Sequence, residues 1–381
     1  MRLLIVSTLN SAEPFGSFTR PFYLGKYLSD YFKVFQLGID CSAVDYTQSK
    51  SIGVRSVFAY KREILNCVKS FQPDIIYAQE TLPAIATLLS IEMALKKTIP
   101  IVFDFHTLSA FEYWTRLASS SNQLQELRQL IKTYIAQGLL ILSGKPIITA
   151  GQPVSELIYK WYPGRHLQVQ PVGNGVPDDL INIQGTSKPD LYSNLCPAKI
   201  VIVTAPRTFS FPTNDMSVTM TIEIAQRLEH SDPTIHFVVV GRDAENFSSP
   251  LPRNMTFAGF LPDRQDFVAY LQHADVALLP FPKQAVAGGA RNKALDYFAC
   301  KKLVVSTPEG MRGLEGFQNQ KHLLITDYDI NSIAETVKFA CANLEASRSI
   351  ASEAHSIIRT NYSWSAMAAK IAKILHDTYE A

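Results

Sequence analysis

The residues best placed to do chemistry lie in the stretch PFPKQAVAGGARNKALDYFACKKLVVST, residues 280–307. Gly288 and Gly289 directly precede a predicted helix, and Arg291 and Lys293 are expected in its first turn. Backbone N–H groups and the helix dipole attract phosphate at such a position, whereas cations there oppose the dipole unless an anion lies among them. The pattern predicts a diphosphate site. The alternative is that Arg291 and Lys293 are incidental charges at a solvated helix end.

Two further residues of this half extend the predicted site. Asp296 lies in the same predicted helix, where a carboxylate can accept hydrogen bonds from ribose hydroxyls. An ion pair with Lys293, three residues earlier, is the alternative. Arg207 directly follows the predicted strand 200–204, in the segment APRTFSFPTND. It is therefore either a phosphate ligand or a surface arginine.

The first half offers weaker candidates. The strand IVFDFH ends in Asp104 and His106, and an imidazole there can orient or polarise a substrate hydroxyl. A structural histidine is the alternative. The first strand is followed by NSAEPFGSFTRP, in which Gly16 and Thr19 lead into a helix and let a ligand approach the backbone.

Several well-defined motifs are absent from the sequence. There is no GxGxxG after a strand, no GxxxxGK[ST] and no HExxH, so dinucleotide, ATP-loop and zincin sites lack their usual support. Asp327-Tyr328-Asp329 forms a DxD triplet, but it lies between a predicted strand and a predicted helix. Capping of that helix is therefore the favoured interpretation, and no metal site is predicted.

Composition limits the remaining classes of function. The 36 Lys and Arg against 34 Asp and Glu give a net charge of +2, so no polybasic field for nucleic acid is expected. The five cysteines are scattered without a CxxC pair, and the opening MRLLIVSTLN resembles a buried strand more than a signal peptide. These features favour reduced thiols and a cytoplasmic location.

The elements that must position these residues alternate between short apolar strands and amphipathic helices, the pattern of a doubly wound α/β fold. Predicted strands of the first half cover 3–7, 34–37, 54–59, 75–78, 101–105 and 147–150. Those of the second half cover 200–204, 236–240, 255–257, 276–279, 303–306 and 323–326. Gly, Pro, Asn and Asp cluster between them in PVGNGVPDDLINIQGTSKPD, residues 171–190. We predict a first domain at 1–175, a linker at 176–198, a second domain at 199–360 and a C-terminal helix at 361–381.

The order of four segments resembles the C-terminal domain of GT-B fold glycosyltransferases of the group 1, or family 4, type. These segments are VVVGRD, MTFAGFLP, HADVALLPF and GGARNKALDYFACKKLVVST. PVGNGV at 171–176 is similar to the family's PNGV segment, and NYSW at 361–364 to its closing FSW element. The resemblance implies two Rossmann-like domains facing across a cleft, with the C-terminal helix returning to the first domain.

The resemblance also implies roles for individual residues. Asp296 matches the family's ribose-binding acidic position, with Asp for the usual Glu, whereas the first acidic position of that motif falls on Gly288. Arg207 matches the family's arginine, but the lysine about five residues further falls near Pro212. His106 matches the histidine of the donor-sugar pocket. The expected donor site comprises Gly16, Arg207, Gly241, Gly288, Gly289, Ala290, Arg291, Asn292, Lys293 and Asp296, and the expected catalytic residues are His106, Arg207 and Lys293.

The resemblance implies retaining, metal-independent transfer of a sugar from a nucleoside diphosphate sugar to a sugar or lipid-linked acceptor. The nucleotide sugar is a substrate, so no cofactor is expected, and the family's front-face attack leaves no protein nucleophile to name. Because Gly288 and Pro212 depart from the family pattern, a catalytically weak or inactive nucleotide-sugar-binding scaffold on the same fold is the alternative. A peripheral membrane contact remains open, and the sequence does not specify the base, the sugar or the oligomeric state.

Overall fold

A computed structural model describes residues 1–11, 18–95, 98–117, 120, 122–163, 168–183, 185–205, 212–241, 247, 250–285 and 291–381, without the side chains of 93–95 and 212. Within these residues the chain divides into two compact units. Unit 1 takes its residues from Met1–Gly175 and Trp364–Ala381, and unit 2 from Val176–Ala287 and Arg291–Ser363.

The described elements alternate along the chain. The strands are β1 (Arg2–Val6), β2 (Lys33–Gly38), β3 (Gln48–Ser51), β4 (Ile75–Gln79), β5 (Ile101–Phe105), β6 (Ile147–Thr149), β7 (Val169–Pro171), β8 (Lys199–Thr204), β9 (Ile235–Val240), β10 (Met255–Gly259), β11 (Val276–Leu279), β12 (Leu303–Ser306) and β13 (Leu324–Ile325). The α-helices are α1 (Thr19–Leu28), α2 (Val57–Ser70), α3 (Thr81–Leu88), α4 (Ser109–Leu117), α5 (Gln123–Leu142), α6 (Gln152–Trp161), α7 (Asp178–Asn182), α8 (Asp190–Asn194), α9 (Pro212–Ser231), α10 (Arg264–His273), α11 (Asn292–Ala299), α12 (Ile330–Ala342), α13 (Leu344–Asn361) and α14 (Trp364–Glu380). A π-helix at Leu89–Leu95 continues α3, and a 3₁₀-helix lies at Pro308–Met311.

Unit 1 is built on a sheet in the order β3-β2-β1-β4-β5-β6-β7, and all of its strand pairs are parallel. Its central strands are continuous apolar runs because helices cover both faces. Leu4 and Val6 pack into the core on one face, and Leu3 and Ile5 into the core on the other. Trp364 of α14 belongs to the second of these cores and is 1% exposed. The last helix is therefore an integral layer of unit 1.

Unit 2 repeats this design with a parallel sheet in the order β10-β9-β8-β11-β12-β13. Ile200 and Ile202 of β8 face one core, and Val201 and Val203 face the other. Helices α11 and α13 pack on the first face, and α9 and α12 on the second. The two parallel sheets with helices on both faces confirm the predicted α/β class with two Rossmann-like domains.

The structure differs from the predicted strands at three points. The predicted strand 54–59 is wrong, because Ser56 is the extended N-cap residue of α2 and the helix begins at Val57. The strand in this region is instead β3, whose polar sequence QSKS gave no apolar signal. Strand β7 is absent from the predicted strands, because it is short and mostly exposed and therefore has no apolar run.

The DxD triplet caps a helix, as the sequence predicted. Asp329 is the N-cap residue of α12, and its Oδ2 accepts a hydrogen bond from the backbone N–H of Ser332 at 2.9 Å. No described helix is long and apolar enough to cross a membrane. The described cysteines Cys41, Cys67, Cys196, Cys300 and Cys341 are all free thiols, of which only Cys196 is exposed.

Candidate active site

The candidate site of unit 2 lies at the carboxyl ends of β8 and β11. The strand order reverses between these neighbours, since β9 follows β8 on one side and β12 follows β11 on the other. Loops at such a switch point form the ligand-binding crevice of doubly wound sheets. Helix α9 begins after the loop that follows β8, and α11 begins after the loop that follows β11.

Lys293 joins the first turns of these two helices. Its Nζ donates a hydrogen bond to Oδ1 of the buried Asn214 at 2.8 Å and lies 5.2 Å from the ring centroid of Phe281. The ammonium is thus held beside two helix N-termini, each of which carries partial positive charge. This arrangement suits an anion such as phosphate.

Arg291 has a different environment from the one expected. The sequence placed it in the first turn of the helix, but it is the N-cap residue of α11 and its side chain is buried. The guanidinium lies 3.9 Å from the ring centroid of Phe281, donates to the carbonyl oxygen of Ala285 and is 3.7 Å from the carboxylate of Glu309. Burial lowers the pKa of Arg291 to about 10, so it stays charged at neutral pH. Its charge has protein partners, and the expected conflict with the helix dipole does not arise at this residue.

Asp296 lies in α11 and is partly buried. Burial raises the pKa of its carboxyl to about 6, and the charge of Arg264 only partly offsets this. A carboxyl with so little solvation gains from a hydroxyl donor, which is what the ribose-binding role requires. Asn292 is the exposed first residue of the same helix.

Gly241 follows β9 with φ of 101°, a conformation that disfavours any side chain, and its N–H donates to the carbonyl oxygen of Gly259 at 2.7 Å. Five other members of the expected donor site lie outside the described residues: Gly16, Arg207, Gly288, Gly289 and Ala290.

The candidate site of unit 1 lies at the corresponding switch point, between β1 and β4. His106 directly follows β5, and its side chain is 8% exposed. Its Nδ1 is 3.3 Å from Oε1 of Glu80, and its Nε2 is 3.8 Å from Oδ2 of Asp104. Glu80 is the residue after β4, and its Oε2 accepts a hydrogen bond from the hydroxyl of Thr8, shortly after β1. The ends of three strands are therefore linked in one chain of contacts, from Thr8 to Glu80 and from Glu80 to His106.

Asp104 is the buried hydrogen-bond acceptor of this site. It is fully buried, and its Oδ2 accepts hydrogen bonds from Nε of Arg20 at 2.8 Å and from the hydroxyl of Tyr77. Arg20 also donates to the carbonyl oxygen of Gly173 at 2.8 Å, which ties the PVGNGV segment to helix α1 and strand β5. Because the guanidinium neutralises Asp104, the buried carboxylate is tolerated.

Sequence reasoning identified His106 and Asp104 but missed Arg20, Tyr77, Glu80 and Thr8. Glu80 could have been found, because it follows a buried apolar strand at the position where ligand-contacting residues gather. Arg20 could not, since nothing in a helical sequence shows that its side chain points into the core.

Residues 199–343 match the family described as glycosyl transferases group 1. Similar solved structures span the whole chain. A glycosyltransferase from Rickettsia africae has a TM-score of 0.71 and 15% identity, covering 99% of this chain and 98% of the other. Sucrose-phosphate synthase from Thermosynechococcus elongatus has a TM-score of 0.73 and 13% identity, with 100% of both chains covered. The Anabaena protein HepE in complex with UDP-glucose has a TM-score of 0.69 and 14% identity, covering 99% and 100%. No curated protein matches this chain.

The fold is therefore GT-B, and the matched region extends from β8 to the end of α12. The chain is a glycosyltransferase whose residues 199–343 belong to the group 1 family.

Proposed function

We propose that this enzyme transfers a sugar from a nucleoside diphosphate sugar to a hydroxyl of a carbohydrate or lipid-linked acceptor, with retention and without a catalytic metal. Uracil is the favoured base, because the similar HepE structures contain UDP and UDP-glucose. In this proposal unit 2 binds the donor nucleotide, His106 of unit 1 contacts the transferred sugar, and unit 1 shapes the acceptor site.

The observation that carries the proposal is the position of Lys293 between the first turns of α9 and α11. As the bond between the sugar and the diphosphate breaks, negative charge grows on the departing phosphate oxygen. A fixed ammonium and two helix N-termini stabilise that charge without reorganising during the reaction. Arg207, Gly288, Gly289 and Ala290 belong to the same two loops and are proposed to complete the phosphate contacts.

Metal independence is supported by the role of Asp329. Asp329, the second carboxylate of the DxD, accepts a hydrogen bond from the backbone N–H of Ser332 and is thereby engaged as the cap of α12. The charge compensation that a metal gives to a departing diphosphate is assigned here to protein cations.

Incubation of the purified enzyme with a panel of UDP-, GDP- and ADP-sugars tests the proposal. Release of free nucleoside diphosphate from at least one donor is the expected result. A thermal-shift series with UDP, GDP and ADP identifies the base, because a ligand that binds only the folded state raises the melting temperature. Nucleotide binding without release from any donor would favour the scaffold alternative, and neither binding nor release would contradict both.

A further inference from the structure

The backbone of Glu80 is unusual. Its φ of 68° and ψ of 165° lie in a region that is essentially restricted to glycine, and residues held there by their surroundings concentrate at functional sites. Glu80 directly follows the buried strand β4 and is the N-cap residue of α3. Its backbone N–H donates to the carbonyl oxygen of Asp104 at 2.7 Å, so the strained residue is fixed to β5.

The side chain of Glu80 does not cap the helix it precedes. Its carboxylate makes no hydrogen bond to the first N–H groups of α3. One carboxylate oxygen accepts from Thr8, and the other lies 3.3 Å from Nδ1 of His106, within ion-pair distance but without hydrogen-bond alignment. The side chain is thus directed toward Thr8 and the imidazole and away from the helix.

The charge of Glu80 suits this contact. Burial alone would raise its pKa, but the contact with His106 and the hydrogen bond from Thr8 hold the pKa below its usual value. An ionised carboxylate accepts hydrogen bonds only, so it favours the tautomer with a proton on Nδ1.

The other imidazole nitrogen is left for a ligand. Both ring nitrogens of His106 are buried without an aligned hydrogen bond to any described residue; Nδ1 faces Glu80 at 3.3 Å, whereas Nε2 is 3.8 Å from Asp104, too far for a hydrogen bond. Asp104 is already engaged by Arg20 and Tyr77. A buried nitrogen without a partner is costly unless a substrate hydroxyl supplies one.

We propose that Glu80 is the positioning residue for His106: it fixes the proton on Nδ1 and presents Nε2 as the acceptor for a hydroxyl of the transferred sugar. The inference rests on the proposed function, because it assigns the sugar contact to His106. In this proposal the strained backbone of Glu80 serves to place the carboxylate beside the imidazole.

Two substitutions separate positioning from a structural role. Glu80→Gln keeps the shape but removes the charge, and we expect turnover to fall about 10- to 100-fold, as for other residues that orient an active-site histidine, with unchanged affinity for UDP. Glu80→Gly removes the side chain and suits the backbone, so it should lose at least as much turnover while the melting temperature rises by several degrees. A lower melting temperature in Glu80→Gly, or full turnover in Glu80→Gln, would overturn the proposal.

A double-mutant cycle tests whether Glu80 acts through His106. In a His106→Ala background, Glu80→Gln should change turnover by less than about twofold, because the group it positions is already gone. Losses that multiply would show that Glu80 acts independently of His106. Glu63→Gln is the matched control, since Glu63 is a buried, ion-paired glutamate of the same unit.

A spectroscopic readout keeps this inference separate from the proposed function. In protein labelled with ¹⁵N-histidine, the signals of His106 among the eight histidines are those that vanish in His106→Ala. Wild-type protein should show a proton on Nδ1, and Glu80→Gln should shift the population toward the other tautomer. An unchanged pattern would refute the positioning role. Absence of turnover with every donor would contradict the proposed function while leaving this measurement interpretable.

Discussion

Nζ of Lys293 lies 2.8 Å from Oδ1 of Asn214, so the first turns of α11 and α9 are joined at the switch point of the second sheet. Lys293→Ala should weaken UDP binding by roughly 1.5 to 3 kcal/mol, the contribution of a hydrogen bond to a charged group. Isothermal titration calorimetry measures the change. Lys321→Ala, which removes an exposed lysine of the same unit, should leave the affinity unchanged. Equal affinities in both variants would move the phosphate site away from α11.

Arg291 is expected to matter for stability. Arg291→Ala would remove the ion pair between the guanidinium and the buried carboxylate of Glu309, at 3.7 Å, and the cation–π contact with Phe281. We expect the free energy of unfolding to fall by about 3 kcal/mol, since breaking a buried ion pair leaves an uncompensated charge. Urea denaturation measures this loss, and Arg312→Ala, at a more exposed partner of Glu309, should cost clearly less. Unchanged stability with weakened UDP binding would make Arg291 a phosphate ligand.

Asp296 should make stability depend on pH. Its pKa is raised to about 6 in the folded protein from an ordinary 3.8, so the folded state binds the proton more tightly than the unfolded state. The stability that Asp296 contributes is therefore present below pH 4 and lost as pH rises through about 6. Asp296→Asn should be more stable than wild type at pH 7.5 by roughly 2 kcal/mol, and the difference should vanish near pH 4.

The same substitution tests the ribose contact. Asp296→Asn should weaken UDP binding, because an amide accepts a ribose hydroxyl less strongly than a carboxylate does. Asp266→Asn, at an exposed aspartate of α10, should neither stabilise the protein at pH 7.5 nor change the affinity. A stabilised Asp296→Asn variant with normal affinity would leave Asp296 as a buried acid without a ligand.

His106 is expected to affect turnover more than nucleotide affinity. In the proposed function it contacts the sugar and not the phosphate, so His106→Ala should lower kcat about 10- to 100-fold with an unchanged Kd for UDP. Steady-state kinetics and calorimetry measure the two quantities. His230→Ala, at an exposed histidine of α9, should match wild type in both. Full activity in His106→Ala would make the histidine structural.

Metal removal provides a further test. Activity should survive EDTA, because the proposed charge compensation comes from protein cations and helix N-termini. Complete loss in EDTA, restored by Mn²⁺ or Mg²⁺, would contradict metal independence. Asp327→Asn, which alters the DxD while leaving the cap at Asp329 in place, should be as active as wild type.

The fold class could be predicted from the sequence because buried parallel strands are mostly apolar. Strands such as β1 and β4 are recognisable in this way, and their order along the chain shows which loops follow their carboxyl ends. β3 could not be found, since an exposed edge strand of polar residues has no such pattern. The helix capped by Asp329 was predictable because capping is local, and it depends on a few neighbouring residues.

The candidate sites were predictable only in part. Lys293 could be placed from its distance to the strand end, but the partners of Arg291 come from residues 281, 285 and 309, and no local pattern joins them. The backbone of Glu80 is likewise set by β1 and β5 on either side of it, so its positive φ has no signature in QET.

The assignment of α14 to unit 1 has a consequence for the order in which the enzyme is made. The core that contains Leu3 and Leu24 is completed by Trp364, which leaves the ribosome only after all of unit 2, at roughly 5 to 20 residues per second. One face of the first sheet is thus covered only in part, by α1, while the second domain already has its whole sequence. The domain that is begun first is therefore the last to be completed, and part of its apolar core stays open to solvent until α14 has been made.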